Sequence, residues 1–152
     1  MPSDNPLHDL DAHYQAMPPV AAMQLRIAGY DGQRLTLHAP LDRHVNDKGC
    51  AFGGSMISLM TLASWGLVSL RLREAKLAAD VFVADSDVRY LAPLFADLEA
   101  SATLAAAADW GAFLNTLRER GRARATLSAT VALPGGGIAA QCNARYVAIA
   151  KG

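Results

Sequence analysis

The chain has 152 residues, 52% of them hydrophobic, a formal net charge of zero and two cysteines, which fits one domain with a real core. High apolar content without net charge excludes intrinsic disorder, and two cysteines cannot staple a fold of this length as a disulfide scaffold. A neutral chain also lacks the basic surplus of a general nucleic-acid binder, so a cytoplasmic globular domain without a nucleic-acid partner is expected. Thirty alanines against four isoleucines, and eleven arginines against three lysines, are a skew that a GC-rich genome alone would produce, and carry no functional weight by themselves.

The single domain expected over residues 1–152 opens with a short helix, about 4–17, in which Leu7, Leu10 and Tyr14 recur at helical spacing and Pro18-Pro19 is the stop. Met23, Leu25 and Ile27 then alternate with Gln24 and Arg26, the period of a half-buried strand. Asp31-Gly32 is a hairpin turn, and Leu35 and Leu37 resume the alternation in a second strand. A polar loop from Pro40 ends at Gly53-Gly54.

From Ser55 to about Leu77 the chain is apolar on all sides, as a buried helix is, and Arg71, Arg73 and Lys76 near its end suit the negative pole of its dipole. Its uncharged stretch, Met56 to Leu70, is 15 residues long, short of the roughly 20 that span a bilayer. No membrane span is therefore expected. The pattern then turns to β: Val81–Leu91, Leu98–Leu104, a helical excursion over Ala112–Glu119, the strictly alternating Ala123–Leu133, and Ile138–Ile149 after a triple-glycine turn. Four strands in succession without a crossover helix imply antiparallel pairing. The predicted class is α+β, a curved antiparallel sheet wrapped around one long buried central helix.

The segment with chemical content is Asn46-Asp47-Lys48-Gly49-Cys50-Ala51-Phe52-Gly53-Gly54-Ser55. Paired glycines allow close approach of a ligand, and the first turn of a helix carries unpaired N–H groups and partial positive charge. Aimed at a carbonyl, such donors stabilise the oxyanion of acyl transfer, each worth about 3 kcal/mol. The Asn46 amide, just upstream, is suited to orient a water or the carbonyl.

These residues, with the order of strands around one long helix, resemble a hotdog-fold thioesterase of the YiiD C-terminal type. The likeness runs through Asn46-x2-Gly49-x2-Phe52-Gly53-Gly54-Ser55, Thr61-Leu62-Ala63-Ser64-Trp65-Gly66-Leu67, Asp85-Ser86-Asp87-Val88-Arg89-Tyr90-Leu91-Ala92-Pro93 and Gly121-Arg122-Ala123-Arg124, covering the chain from about Val20. It implies that Asn46 holds the thioester or the attacking water, and that the Gly54 N–H is the oxyanion donor. Phe52, Gly53 and Ser55 would line the substrate site. Where better-characterised hotdog thioesterases carry a carboxylate two turns into the helix, this chain has Thr61, and Phe52 stands where many relatives have histidine.

A substitute carboxylate is therefore sought. Glu74 lies twenty residues past Gly54, about 30 Å along the axis and out of range. Asp85, on the strand that the resemblance places along a subunit interface, is the preferred carboxylate, with Thr61 as a hydrogen-bonding helper. Arg122 and Arg124, in a run with Arg118 and Arg120, are expected either to grip coenzyme A phosphates or to be the charges of a solvated edge strand. Cys50 reads as a structural thiol, and His44, two residues before Asn46, has no assigned role. Histidines and cysteines show no metal-ligand spacing, so neither a metal nor a cofactor is expected.

The leading expectation is hydrolysis of an acyl thioester carried by coenzyme A or an acyl carrier protein, in a homodimer or higher homo-oligomer with the site between subunits. A long apolar Val81–Leu91 strand at a sheet edge is the physical ground for the dimer. The rivals are a non-catalytic acyl-thioester binding module, favoured by the missing helix carboxylate, and a hotdog dehydratase or hydratase.

Overall fold

The structure, a computed structural model, describes residues 5–152. Helix α1 (Pro6–Gln15) is capped by Asn5, whose side chain accepts from the N–H groups of Leu7 and His8 at 3.1 and 3.2 Å. Asp4, the first residue of the expected helix, lies outside the described residues. Pro18-Pro19 does end α1, but Pro18 also starts a second short helix, α2 (Pro18–Ala21). Proline tolerates the first helical position because the missing N–H has no partner there. That extra turn moves the first strand later, so β1 runs over Arg26–Tyr30. Met23 instead lies in a turn that Gln24 ends at a positive φ of 54°.

Strand β1 meets β2 (Leu35–Ala39) through the Asp31-Gly32 turn. The Asp31 carboxylate accepts from the N–H groups of Gln33 and Arg34 at 2.9 and 2.7 Å, and Gly32 supplies a φ of +92°. The central helix α3 (Gly53–Glu74) follows, then β3 (Ala79–Tyr90), β4 (Leu98–Leu104), α4 (Trp110–Arg120), β5 (Arg122–Ala132) and β6 (Ile138–Ala150). The strands form one antiparallel six-stranded sheet in the order β1-β2-β4-β5-β6-β3. Helix α3 touches every strand of it except β1 closely enough to form a layer, which is the sheet-around-a-helix expected from the sequence.

The alanine surplus has a structural use. Ala100 and Ala102 of β4, Ala125 and Ala129 of β5, and Ala140, Ala144 and Ala148 of β6 are all buried. They face the large side chains of Leu59, Met60, Leu67 and Val68, which have no exposed surface. Small against large is how two layers interdigitate at crystal-like density. By length and composition α3 is apolar enough to cross a bilayer, and 56% of its most apolar stretch is buried in the protein.

Helix α3 is not covered on all sides. Ser58 is exposed, and Ile57, Thr61, Leu62, Trp65 and Ser69 are only half-buried. They form one stripe at helical spacing along the side the sheet leaves open, bounded by β3, whose Val81 carbonyl accepts from the Trp65 indole at 3.1 Å. Farther round the helix, Gly66 lets α1 come close. The Tyr14 hydroxyl there donates to the Leu62 carbonyl at 2.7 Å, and a Cβ on Gly66 would overlap that hydroxyl and Leu35. Helix propensity alone gives Gly→Ala a gain of up to about 1 kcal/mol. Here overpacking wins: Gly66→Ala is expected to lower stability by about 2 kcal/mol, measured as an earlier midpoint in urea or heat.

Candidate active site

The loop before α3 is held by one side chain. The Asn46 carbonyl oxygen accepts from the N–H groups of Lys48 and Cys50 at 2.8 and 3.2 Å, and its amide nitrogen donates to the Cys50 sulfur at 3.3 Å. Its backbone N–H donates to the Cys50 carbonyl at 2.8 Å, and Gly49 makes the turn at a φ of +81°. Asn46 thus stabilises the loop, with one amide proton left for anything beyond it. Cys50 is buried, its thiol against that amide.

Phe52 precedes the first turn of α3 and offers no capping side chain. Its carbonyl accepts from Ser55 and Met56, while the N–H groups of Gly53 and Gly54 meet no acceptor among the described residues. Phe52 is 55% exposed and its ring lies over Gly54, filling the space a Cβ would need. On the other side the Tyr90 ring of β3 stands 3.4 Å from where a Gly53 Cβ would be, and its hydroxyl donates to the Gly53 carbonyl at 3.4 Å. Two aromatic rings therefore flank a pair of free donors. Nothing in the spacing of the sequence marks Tyr90 for this place.

Beside that turn lies a groove of about 610 Å³, walled by Pro19, Val20 and Met23 on one side and by Phe52, Gly54, Ser55, Ile57, Ser58, Thr61 and Leu62 on the other. Thr61 shares the groove with Gly54, as two helical turns of spacing require. Its backbone carbonyl accepts from the Tyr146 hydroxyl at 3.3 Å. Burial pushes the Tyr146 phenol up to about 12, so that hydroxyl keeps its proton. His44 is buried behind the groove, with Nδ1 2.8 Å from the Ser55 hydroxyl and Nε2 2.8 Å from the Met23 carbonyl. Sequence reasoning gave His44 no task, because its partners lie eleven residues ahead and twenty-one behind.

Asp85, Arg122 and Arg124 are elsewhere. In β3 the register shifts between Val83 and Asp85, so Val81, Val83, Ser86 and Val88 share the face of buried Tyr146 and Ala144 while Asp85 pairs with Arg145 on the outer face. There the Arg145 Nε donates to both Asp85 oxygens at 3.0 Å, and a second guanidinium nitrogen completes the fork. The Arg145 guanidinium, with Arg124 adding to it, holds the Asp85 carboxyl below the usual carboxylate range. Arg122 and Arg124 are exposed and alternate with buried Ala123 and Ala125, so they too point outward. Their strand lies between β4 and β6 in the sheet, but its pairing with β4 begins only at Leu127, so at Arg122 and Arg124 it is paired with β6 alone. The fold brings Asn46, Phe52, Gly53, Gly54, Ser55 and Thr61 to one end of α3 and leaves these three charges on the far side of the sheet.

An antiparallel sheet curled around one central helix is the hotdog architecture, and this chain is a hotdog-fold protein. It shares 27% identity with a Chlorobaculum tepidum protein of unknown function, at a TM-score of 0.89 over 95% of this chain and 94% of that one. It shares 26% with a "putative thioesterase" of Shewanella oneidensis, at a TM-score of 0.85 over 97% and 99%. A thioesterase of Haemophilus influenzae, 16% identical over 95% and 90%, has the same fold at a TM-score of 0.73. The chain belongs to the family described as "Putative thioesterase (yiiD_Cterm)", whose model matches residues 8–150. A thioesterase-type function, hydrolysis at a thioester bond, goes with that membership.

Asn46→Ala removes the hub of the loop, and its side-chain hydrogen bonds to Lys48 and Cys50 predict a loss of about 1–3 kcal/mol. Urea unfolding checks the stability, and faster amide exchange at Lys48 and Cys50 locates the loss in the loop.

Proposed function

We propose that the chain hydrolyses acyl thioesters, with coenzyme A or an acyl carrier protein as the leaving group, in the groove beside the start of α3. The observation that carries this is the pair of unengaged N–H groups at Gly53 and Gly54, of which Gly54 lines an apolar groove. A thioester carbonyl polarised by such donors becomes electrophilic, and the developing oxyanion gains more from them than the ground state does. The Ile57, Leu62, Val20 and Met23 side chains suit the acyl chain. Water is the second substrate, and no cofactor is called for.

The proposed assembly is a homodimer joined along β3. That strand is bonded to β6 on one side only, and Phe82, Val83 and Tyr90 are 55%, 48% and 55% exposed. An open, apolar edge invites pairing, and an antiparallel strand pairs with its own copy about a two-fold axis. Because Tyr90 ends β3 and touches Gly53, such pairing sets the start of one α3 opposite the partner's β3 beginning. Edge-to-edge pairing leaves every side chain on its own face, so Asp85 stays on the outer surface in the dimer as well. That placement favours the second reading, thioester binding without hydrolysis, unless another group activates the attack.

The test is released thiol from short-, medium- and long-chain acyl-coenzyme A with the purified protein. Turnover of at least one is expected; binding of all without turnover leaves the binding module. Asp85→Ala is expected to keep the rate within about twofold, as an exposed ion pair away from the groove should. Light scattering should give a dimer mass, and Val83→Asp, which sets a charge on the open edge, should shift it toward the monomer and lower turnover with it.

A further inference from the structure

We propose that Ser55 is the nucleophile of this site and His44 its base, so that hydrolysis passes through an acyl-serine; the proposal rests on the thioesterase reading. The proton positions are set by the partners. The Met23 carbonyl only accepts, so the imidazole nitrogen 2.8 Å from it, Nε2, carries the hydrogen. In the neutral ring Nδ1 then keeps its lone pair, and the Ser55 hydroxyl 2.8 Å away is the donor. Nucleophile, base and a group that fixes the base's tautomer stand within hydrogen-bond reach of one another, which is the arrangement of an activated serine. A backbone carbonyl takes the orienting part that a carboxylate plays in other such sites.

Position supports the same assignment. His44 is 6% exposed with both ring nitrogens engaged, so its only route to the groove is through the Ser55 oxygen. Ser55 lines that groove and follows Gly54 directly, which sets its oxygen beside the free donors of the first turn. No aspartate or glutamate among the described residues lines the groove. Asp85 is forked to Arg145 on the outer face, and Glu74, at the other end of α3, accepts from the Tyr30 hydroxyl at 2.9 Å. The serine–histidine pair supplies the base that the helix, with Thr61 in place of a carboxylate, lacks.

The Ser55 oxygen attacks the thioester carbon, an O–C bond forms, and the hydroxyl proton passes to Nδ1 of His44. The oxyanion faces the Gly54 N–H. Collapse breaks the C–S bond, and the thiolate leaves as the thiol with the proton from Nδ1. Water then attacks the ester carbon and gives its proton to Nδ1. The C–O bond to Ser55 breaks, the serine recovers that proton, and the carboxylic acid is released. No oxidant, reductant or further reactant enters.

The probe is a fluorophosphonate, which labels activated serines whatever the natural substrate, applied to the whole protein beside the acyl-coenzyme A assay. Expected are a mass adduct on Ser55, its absence in Ser55→Ala, and labelling at least about tenfold slower in His44→Gln. In Ser55→Ala, kcat should fall by about 100-fold or more with KM little changed, and circular dichroism should show the native fold. An acyl adduct on Ser55 in quenched wild-type reactions would add direct support. Turnover retained in Ser55→Ala, or a wild-type protein that hydrolyses thioesters without ever being labelled at Ser55, overturns the proposal. Labelling of Ser55 without turnover of any thioester sustains the nucleophile and sinks the thioesterase reading. Absence of both overturns the two together.

Discussion

Leucine and methionine of α3 lie close against the sheet because the sheet presents alanine to them. The rest of the molecule is arranged around this contact. A helix seated that deeply is covered by strands on its inner side and by Tyr14 of α1 where Gly66 gives way. One outer stripe is left open, and the groove is part of that stripe. The site is thus the uncovered remainder of a packing problem solved elsewhere.

Alignment at the start of α3 comes from its surroundings, since the helix brings no capping side chain of its own. Asn46 closes the loop on itself, Phe52 lies over Gly54, Tyr90 reaches across from β3, and His44 ties Ser55 to the Met23 carbonyl. Three separate segments, the loop before α3, the turn at Met23 and β3, converge on three residues. Such convergence is what holds donors fixed when charge develops in front of them, so that little reorganisation is needed during the reaction.

The layered fold was legible in the sequence because it rests on periodicity. Alternation in Leu98–Leu104 and Ala123–Leu133 gave strands within a residue of those observed. The unbroken apolar run after Ser55 gave the central helix, ending at Glu74 rather than Leu77. The Gly53-Gly54 start and Thr61 on its face were legible for the same reason. What did not show was anything carried by long-range contact: the His44–Ser55 pair, the Tyr90 wall, and α2, where a proline pair that ends one helix begins another. Asp85 is the instructive case. Unbroken alternation from Val81 and Val83 carries it to the helix side, and only the displaced pairing with β6 at Ala84 turns it out.

That single unpaired residue acts on the strand as a frameshift acts on a reading frame. Everything from Asp85 to Tyr90 faces as it does because of a count, not because of its own chemistry. Pair Ala84 with Arg145, leaving no residue out of the ladder, and the two aspartates trade sides with Ser86, Val88 and Tyr90. The groove would then lose its aromatic wall at Gly53 and the helix side would gain two acids. Pairing register at one position thus selects between a hydroxyl chemistry and a carboxylate chemistry on the same scaffold, with no side chain substituted.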